Sequence, residues 1–159
     1  MVDTPSLIVT TSADIVADDG ETSLREAIAF ANSNADASTI TFAAGLLGQQ
    51  ITLAGSELVL SSEVTIDGDI NGDDVADITV SGDDASRVFS VAGGAATLDA
   101  LTITNGYASA GGGVFVESGA TLDLTNSTIS GNSAYYGGGL RNLGTATLTN
   151  TTISGNNAY

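Results

Sequence analysis

Cysteine, histidine, lysine and tryptophan are all absent from this 159-residue chain, and proline occurs once. Without cysteine there is no disulfide, no thiolate metal site and no thiol nucleophile, and cysteine usage says nothing about the redox compartment. Without histidine the commonest catalytic base and transition-metal ligand is missing. Basic charge is confined to Arg25, Arg87 and Arg141, against 19 Asp and Glu, for a net charge of −16. Nucleic-acid affinity comes largely from Lys and Arg neutralising phosphates, so so acidic a surface excludes a nucleic-acid binder and adsorption to an anionic membrane. No apolar run approaches the roughly 20 residues of a spanning helix, so membrane insertion is not expected. Met1-Val2-Asp3-Thr4-Pro5 also lacks the basic start of a secretory signal. The acidity suits an extracellular or salt-adapted protein, or carboxylates that bind a hard cation such as calcium.

What the chain does have is 20 glycines, many Ser, Thr and Asn, and 42% apolar residues. These are arranged in a repeat. Gly111-Gly112-Gly113-Val114 opens a unit ending in Leu124-Thr125-Asn126-Ser127-Thr128-Ile129-Ser130-Gly131-Asn132-Ser133-Ala134-Tyr135. Gly137-Gly138-Gly139-Leu140 opens a second, ending in Leu148-Thr149-Asn150-Thr151-Thr152-Ile153-Ser154-Gly155-Asn156-Asn157-Ala158-Tyr159. Ile129 and Ile153 are 24 residues apart, and Ile103 lies 26 before Ile129. Short Thr/Ile/Leu/Val runs with Gly/Asn corners at that period define a solenoid in which each turn of chain is one unit.

The fold class expected is all-β: a parallel β-helix of about five coils over residues 39–159, each coil adding about 4.8 Å to a column about 25 Å tall. Residues 1–38 are expected to cap it. There Ser6–Thr11 reads as a strand, and a single amphipathic helix follows Asp18-Asp19-Gly20. Ser23 is the N-cap, Glu26 completes a capping box, and Leu24, Ala27, Ile28 and Ala31 share one apolar face. Strands are expected at 39–42, 50–53, 57–60, 64–66, 77–80, 88–91, 96–98, 101–103, 114–116, 121–124, 128–129, 147–148 and 152–153. Stacking the coils sets Asn126 under Asn150 and Asn132 under Asn156, as structural amide ladders. No closing element follows the last unit, so this end is expected either to continue into further coils of a longer chain or to meet a partner, including another copy.

Thr22-Ser23-Leu24-Arg25-Glu26-Ala27-Ile28 resembles the Cys-Ser-Leu-Arg-Glu-Ala-Ile motif near the N-terminus of many large bacterial and archaeal surface or secreted proteins, with Thr22 in place of Cys. The Gly-Gly-Gly units followed by Leu-Thr-Asn-Ser-Thr-Ile-Ser-Gly-Asn are similar to the repeats of those proteins and of the polymorphic outer membrane protein family. The resemblance covers nearly the whole chain. It implies a right-handed handedness for the β-helix, an extracellular or cell-surface setting, and a role in adhesion or surface structure. Thr22 removes any thiol chemistry of the family.

Chemistry is sparse. Asp67-Gly68-Asp69-Ile70-Asn71-Gly72-Asp73-Asp74, followed by Asp77, matches the first half of a calcium loop, in which alternate oxygens converge on the ion. The twelfth position is Ile78 rather than Glu and no flanking helices are evident, so this is no EF-hand. Asp67, Asp69, Asn71, Asp73, Asp74 and Asp77 are therefore either a structural calcium site or an acidic turn. Asp83 and Asp84 are expected to form a solvated turn with a surface ion pair to Arg87. A glycosidase would need facing carboxylates about 5–10 Å apart, and only Glu117, Asp123 and Asp99 offer a pair. With three Arg and no His, no catalytic residue is assigned and a non-enzymatic protein is expected. Tyr107, Tyr135, Tyr136 and Tyr159 recur near one corner, where they pack or stack on a partner or surface glycan. The functional expectation is a structural or adhesive module, a spacer or a fibre subunit assembling end to end. The alternative is a β-helix that binds or cleaves carbohydrate.

Overall fold

The computed structural model describes residue 4 and residues 6–159; residues 1–3 and 5 of the expected cap lie outside them. The chain enters through β1 (Ile8–Val9) and helix α1 (Leu24–Ser33) and then winds through five coils. The first coil is β2 (Ser38–Phe42), β3 (Gln50–Thr52) and β4 (Leu58–Leu60), and the second is β5 (Val64–Asp67), β6 (Ile78–Ser81) and β7 (Phe89–Val91). The third comprises β8 (Ala95–Asp99), β9 (Leu101–Thr104), β10 (Tyr107–Ala110) and β11 (Val114–Val116). The fourth comprises β12 (Thr121–Thr125), β13 (Thr128–Ser130), β14 (Ser133–Tyr136) and β15 (Leu140–Asn142). The fifth is β16 (Thr145–Thr149), β17 (Thr152–Ser154) and β18 (Asn157–Ala158).

Equivalent strands stack in parallel sheets, ordered β1-β2-β5-β8-β12-β16, β3-β6-β9-β13-β17, β4-β7-β11-β15 and β10-β14-β18. This is a parallel β-helix with one α-helix among the described residues. Alternation explains the strands: in β2 and β5 the branched or apolar residues point inward and the threonines outward. Each inward position then becomes a column. Ile66, Leu98, Leu124 and Leu148 are consecutive partners in one sheet, and Val80, Ile103, Ile129 and Ile153 in the next.

Four strands are additional to those read from the sequence. β10, β14 and β18 form a fourth side, and β15 extends the third. Tyr-Ala-Ser-Ala and Ser-Ala-Tyr-Tyr contain tyrosine, a strand former, but no branched aliphatic residue on an inward face, so they lack the apolar alternation of the other strands and are held by the ladder above and below. The corner into β11 passes through Gly112, where an added Cβ would lie 2.7 Å from the Gly138 carbonyl oxygen of the next coil. Two backbones approach too closely there for any side chain.

Helix α1 closes the column at the β1 end. Ser23 Oγ accepts from the Glu26 N–H at 3.2 Å and the Glu26 carboxylate accepts from the Ser23 N–H at 2.8 Å, a complete capping box. Leu24, Ala27, Ile28 and Ala31 are buried in the common core, and the helix packs on β1, β2 and β4.

Candidate functional site

At the corner after the first sheet most coils turn on a single residue in the left-handed region: Ala100 at φ 50°, Asn126 at φ 48° and Asn150 at φ 48°. Asparagine tolerates that conformation because its short amide bonds locally. Asn150 Nδ2 donates to Asn126 Oδ1 at 2.8 Å, and Asn126 Nδ2 donates to Asp99 Oδ1 at 3.0 Å, so the amides run up the corner from a carboxylate.

The second ladder is internal. Asn132 is fully buried. Its Oδ1 accepts from the Gly106 N–H at 2.7 Å, and its Nδ2 donates to Ile103 O at 3.0 Å and to Asn156 Oδ1 at 3.0 Å. One side chain thus joins three successive coils. Asn156 Nδ2 repeats the pattern one coil on, donating to Ile129 O at 2.9 Å.

The second coil replaces the one-residue corner by the acidic loop. Gly68 N–H donates to Asp99 O at 2.9 Å, and Asp77 N–H returns to Gly68 O at 3.3 Å, so residues 69–76 are pinched out of an otherwise continuous column. A side chain at Gly68 would run into the Ala100 carbonyl and the Leu101 side chain. Ile70 packs back on the core and anchors the loop.

The carboxylates mostly point into the loop's own backbone. Asp69 Oδ1 accepts from Gly72 N–H at 2.7 Å and Asp73 N–H at 3.1 Å, and its Oδ2 accepts from Asp74 N–H at 3.0 Å. Asp77 Oδ2 accepts from Ile70 N–H at 2.9 Å and Asn71 N–H at 3.2 Å. Asn71 Oδ1 accepts from Asp73 N–H at 3.0 Å, and Asp67 Oδ1 from Asp69 N–H at 3.0 Å. Among the described residues no three carboxylate, His or Cys side chains converge as a metal-ligand group. Asp73 and Asp74 are exposed, and Asp73 Oδ1 accepts from the Val75 N–H at 3.0 Å.

The Asp74 N–H above all holds the Asp69 carboxyl below its ordinary 3.8, against a smaller opposing effect of desolvation, with the Gly72, Asp73 and Asn71 amides adding to the lowering. A depressed folded pKa means that the unfolded chain binds the proton more tightly. The loop's stabilisation is therefore complete above the ordinary carboxylate range and is lost as pH falls through the depressed folded value. Carbon-13 titration of the side-chain carboxyls is expected to place the Asp69 midpoint below the ordinary aspartate value of 3.8. Protection of the Gly72, Asp73 and Asp74 amides should disappear with the same midpoint, and an ordinary midpoint at Asp69 would contradict the geometry.

Arg87 does not pair with Asp83 or Asp84. Its guanidinium bonds the Glu57 carboxylate and donates through Nη2 to Ala110 O at 2.9 Å, lying 5.0 Å from the Phe115 ring centre. Asp83 and Asp84 instead take left-handed corner conformations, at φ 55° and 54°. Arg25 has the more deeply buried partner, Asp14 being 2% exposed against 35% for Glu57. It grips Asp14 with Nε and Nη2, each at 2.8 Å, and donates to Ser56 O and Glu57 O.

Asp123 lies on the outer face of the first sheet, one coil from Asp99 and diagonal to it, whereas Glu117 follows β11 on another sheet. Asp99 accepts from Thr125 Oγ1 at 2.7 Å as well as from Asn126, which makes it a corner residue. Tyr107, Tyr135, Tyr136 and Tyr159 are all exposed on or beside the β10-β14-β18 side. Tyr135 and Tyr159 meet edge to face at 5.9 Å, and the Arg141 guanidinium sits 5.0 Å from the Tyr136 ring centre. A cleft of about 310 Å³ on the outer side of α1 is lined by Thr22, Glu26 and Phe30 among others.

The two ends of the column differ. On the cap side the edge of β2 is paired by β1, and the edge of β4 is occupied by side chains: Asn32 Nδ2 bonds Val59 O at 2.8 Å and Asn32 Oδ1 accepts from Ser61 N–H at 3.0 Å. On that side β3 has one neighbour only, and at the other end so do β15, β16, β17 and β18. Leu148 is 41% exposed and Ile153 45%, although their partners Leu124 and Ile129 are fully buried.

The geometry defines the class, a capped parallel β-helix. No protein-family model, curated protein or solved structure matches the chain. No helix among the described residues is long and apolar enough to cross a membrane.

Proposed function

We propose that this protein is a non-enzymatic structural module of the cell exterior, a rigid β-helical spacer or fibre subunit that joins further coils end to end. The observation that carries this reading is the end face just described: core-type side chains in register with the buried columns, framed by strand edges that can accept another coil. The acidity and the resemblance of residues 22–28 to a surface-protein motif, with Thr22 in place of its Cys, support the extracellular setting. Calcium, on this reading, binds the rim of the 67–77 loop and stiffens a corner without entering the contact.

A second reading has its own support. The exposed tyrosines with Arg141 offer stacking faces and hydrogen-bond donors of the kind that hold sugar rings. Electron microscopy of the purified protein, with calcium and with chelator, separates the two. End-to-end particles in both conditions are expected. Dispersed single columns that capture oligosaccharide would favour the carbohydrate reading.

A further inference from the structure

One of the four sheets differs from the rest in what it shows to solvent. Strands β3, β6, β9, β13 and β17 contain no charged and no aromatic residue, in a chain of net charge −16. Each of the other three sheets carries one or the other. Val80, Ile103 and Ile129 are buried, so by alternation the hydroxyl residues beside them point outward. Thr79, Thr102, Thr128 and Thr152 are consecutive partners and form one outward column, one residue per coil. Thr104, Ser130 and Ser154 form a second column beside it. In the second coil that second place is held by Ser81, which is buried and accepts from Asn105 Nδ2 at 3.3 Å. No hydrogen bond among the described residues engages the hydroxyls of Thr79, Thr102, Thr128 or Thr152.

We propose that this face binds ice. Parallel strands set the threonines of one column about 4.8 Å apart, and two residues along a strand set the columns about 6.6 Å apart. Oxygens on the flat faces of hexagonal ice recur at similar intervals in two directions, so hydroxyls and γ-methyls held on this grid order water into the lattice and freeze to it. Threonine is stiff at χ1 and its backbone is fixed by a ladder on either side. The grid is therefore set before contact, and little conformational entropy is lost on binding. Hydroxyls with no internal partner give up no bond within the protein when they join the crystal.

Charge selects this occupant over others. Ice is uncharged, and a carboxylate pressed against it would lose hydration with nothing in return, so a chain this acidic adheres only through a neutral face. The nearby acids stand off that face: Asp67, Asp99 and Asp123 lie on the first sheet, and Asp83 and Asp84 at the corner beyond Ser81. An ionic mineral would call for carboxylates within the array, and a sugar polymer for an aromatic stacking platform; this face has neither. The face is lateral, so coils added at either end of the column would lengthen the array without covering it. The inference therefore stands apart from the end-to-end reading.

The test is partition of the protein into slowly grown polycrystalline ice, with the variants Thr102→Tyr and Thr128→Tyr and the control Thr97→Tyr. Thr97 points outward on the first sheet, in register with Thr65 and Asp123. Threonine and tyrosine are both strand formers, and circular dichroism checks that each variant folds. The wild type is expected to be taken into the ice and to open a gap between the melting and freezing temperatures of a crystal. A ring at either central position lifts the array off the lattice, so both face variants are expected to be rejected into the liquid and to close the gap. Thr97→Tyr is expected to behave as the wild type. Rejection of the wild type, read without any variant, overturns the proposal. Face variants that still enter the ice, or a control lost along with them, put the contact elsewhere and overturn it too. Microcrystalline cellulose is the second probe: a wild type held by cellulose but rejected by ice would make the face a polysaccharide platform and overturn the assignment to ice.

Discussion

Replacing Asn132 by alanine is expected to destabilise the protein by about 3 kcal/mol, near the top of the range for a single polar substitution. Asn132 is fully buried, and its amide satisfies the Gly106 N–H and the Ile103 carbonyl in the previous coil. Alanine strands the Gly106 N–H in a place water does not reach, at about 1–3 kcal/mol, and takes from the Ile103 carbonyl and from Asn156 the bonds the amide donated. For a chain of this size the change corresponds to a fall in Tm of roughly 6–12 °C. The chemically identical change at Asn156 is the control. Asn156 is half-buried at the open end, and its contacts with Ile129 and Asn132 can be taken over by water. It is expected to cost about 1 kcal/mol. Equal losses at the two positions would mean that the internal ladder is not what holds the coils in register.

Replacing Arg25 by methionine is expected to cost about 3–5 kcal/mol, the range for a buried ion pair that loses one partner. The Asp14 side chain is only 2% exposed and the guanidinium holds both of its oxygens. After the change the carboxylate keeps one donor, the Ala54 N–H at 2.8 Å. The same substitution frees the Ser56 and Glu57 carbonyls, so the cap should loosen from the first coil before the column itself melts. Hydrogen exchange is the measurement, with protection lost first across 14–33. Pairing Arg25→Met with Asp14→Leu should recover much of the loss, because no buried charge then remains. A double variant as unstable as the single would show that packing of the arginine stem, rather than the stranded carboxylate, sets the cost.

The helix and the repeat were legible because both follow from local rules. Ser23 and Glu26 stand three apart, and Leu24, Ala27, Ile28 and Ala31 share one face at helical spacing. The near-identical phrases around Ile129 and Ile153 fix a one-coil register, and the two residues are direct partners. Partnerships set by winding were not legible. Arg87 lies next to Asp83 and Asp84 in sequence but bonds Glu57, 30 residues back, because in a column the neighbour on the adjoining coil is one period away. Arg25 and Asp14 are joined across the turn that leads into the helix, where no periodic signal exists. At the acidic loop, spacing pointed to alternate oxygens as ligands of one ion, which takes no account of where each side chain turns. Their directions were set by the loop's backbone amides, which draw in Asp69 and Asp77. The Tyr-Ala side was hidden because it has no alternating apolar face, and its strands are set by their neighbours on the adjoining coils.

The pinch at Gly68 and Asp77 has an architectural consequence. Ile66 still meets Leu98 and Ile78 still meets Leu101, although residues 69–76 intervene in one coil and a single alanine serves in the next. The winding thus keeps its register whether one residue or this eight-residue loop, anchored by Ile70, occupies the corner. The corner is a port where chain leaves and re-enters the flank of a stiff rod with no change in the register of the strands on either side of it.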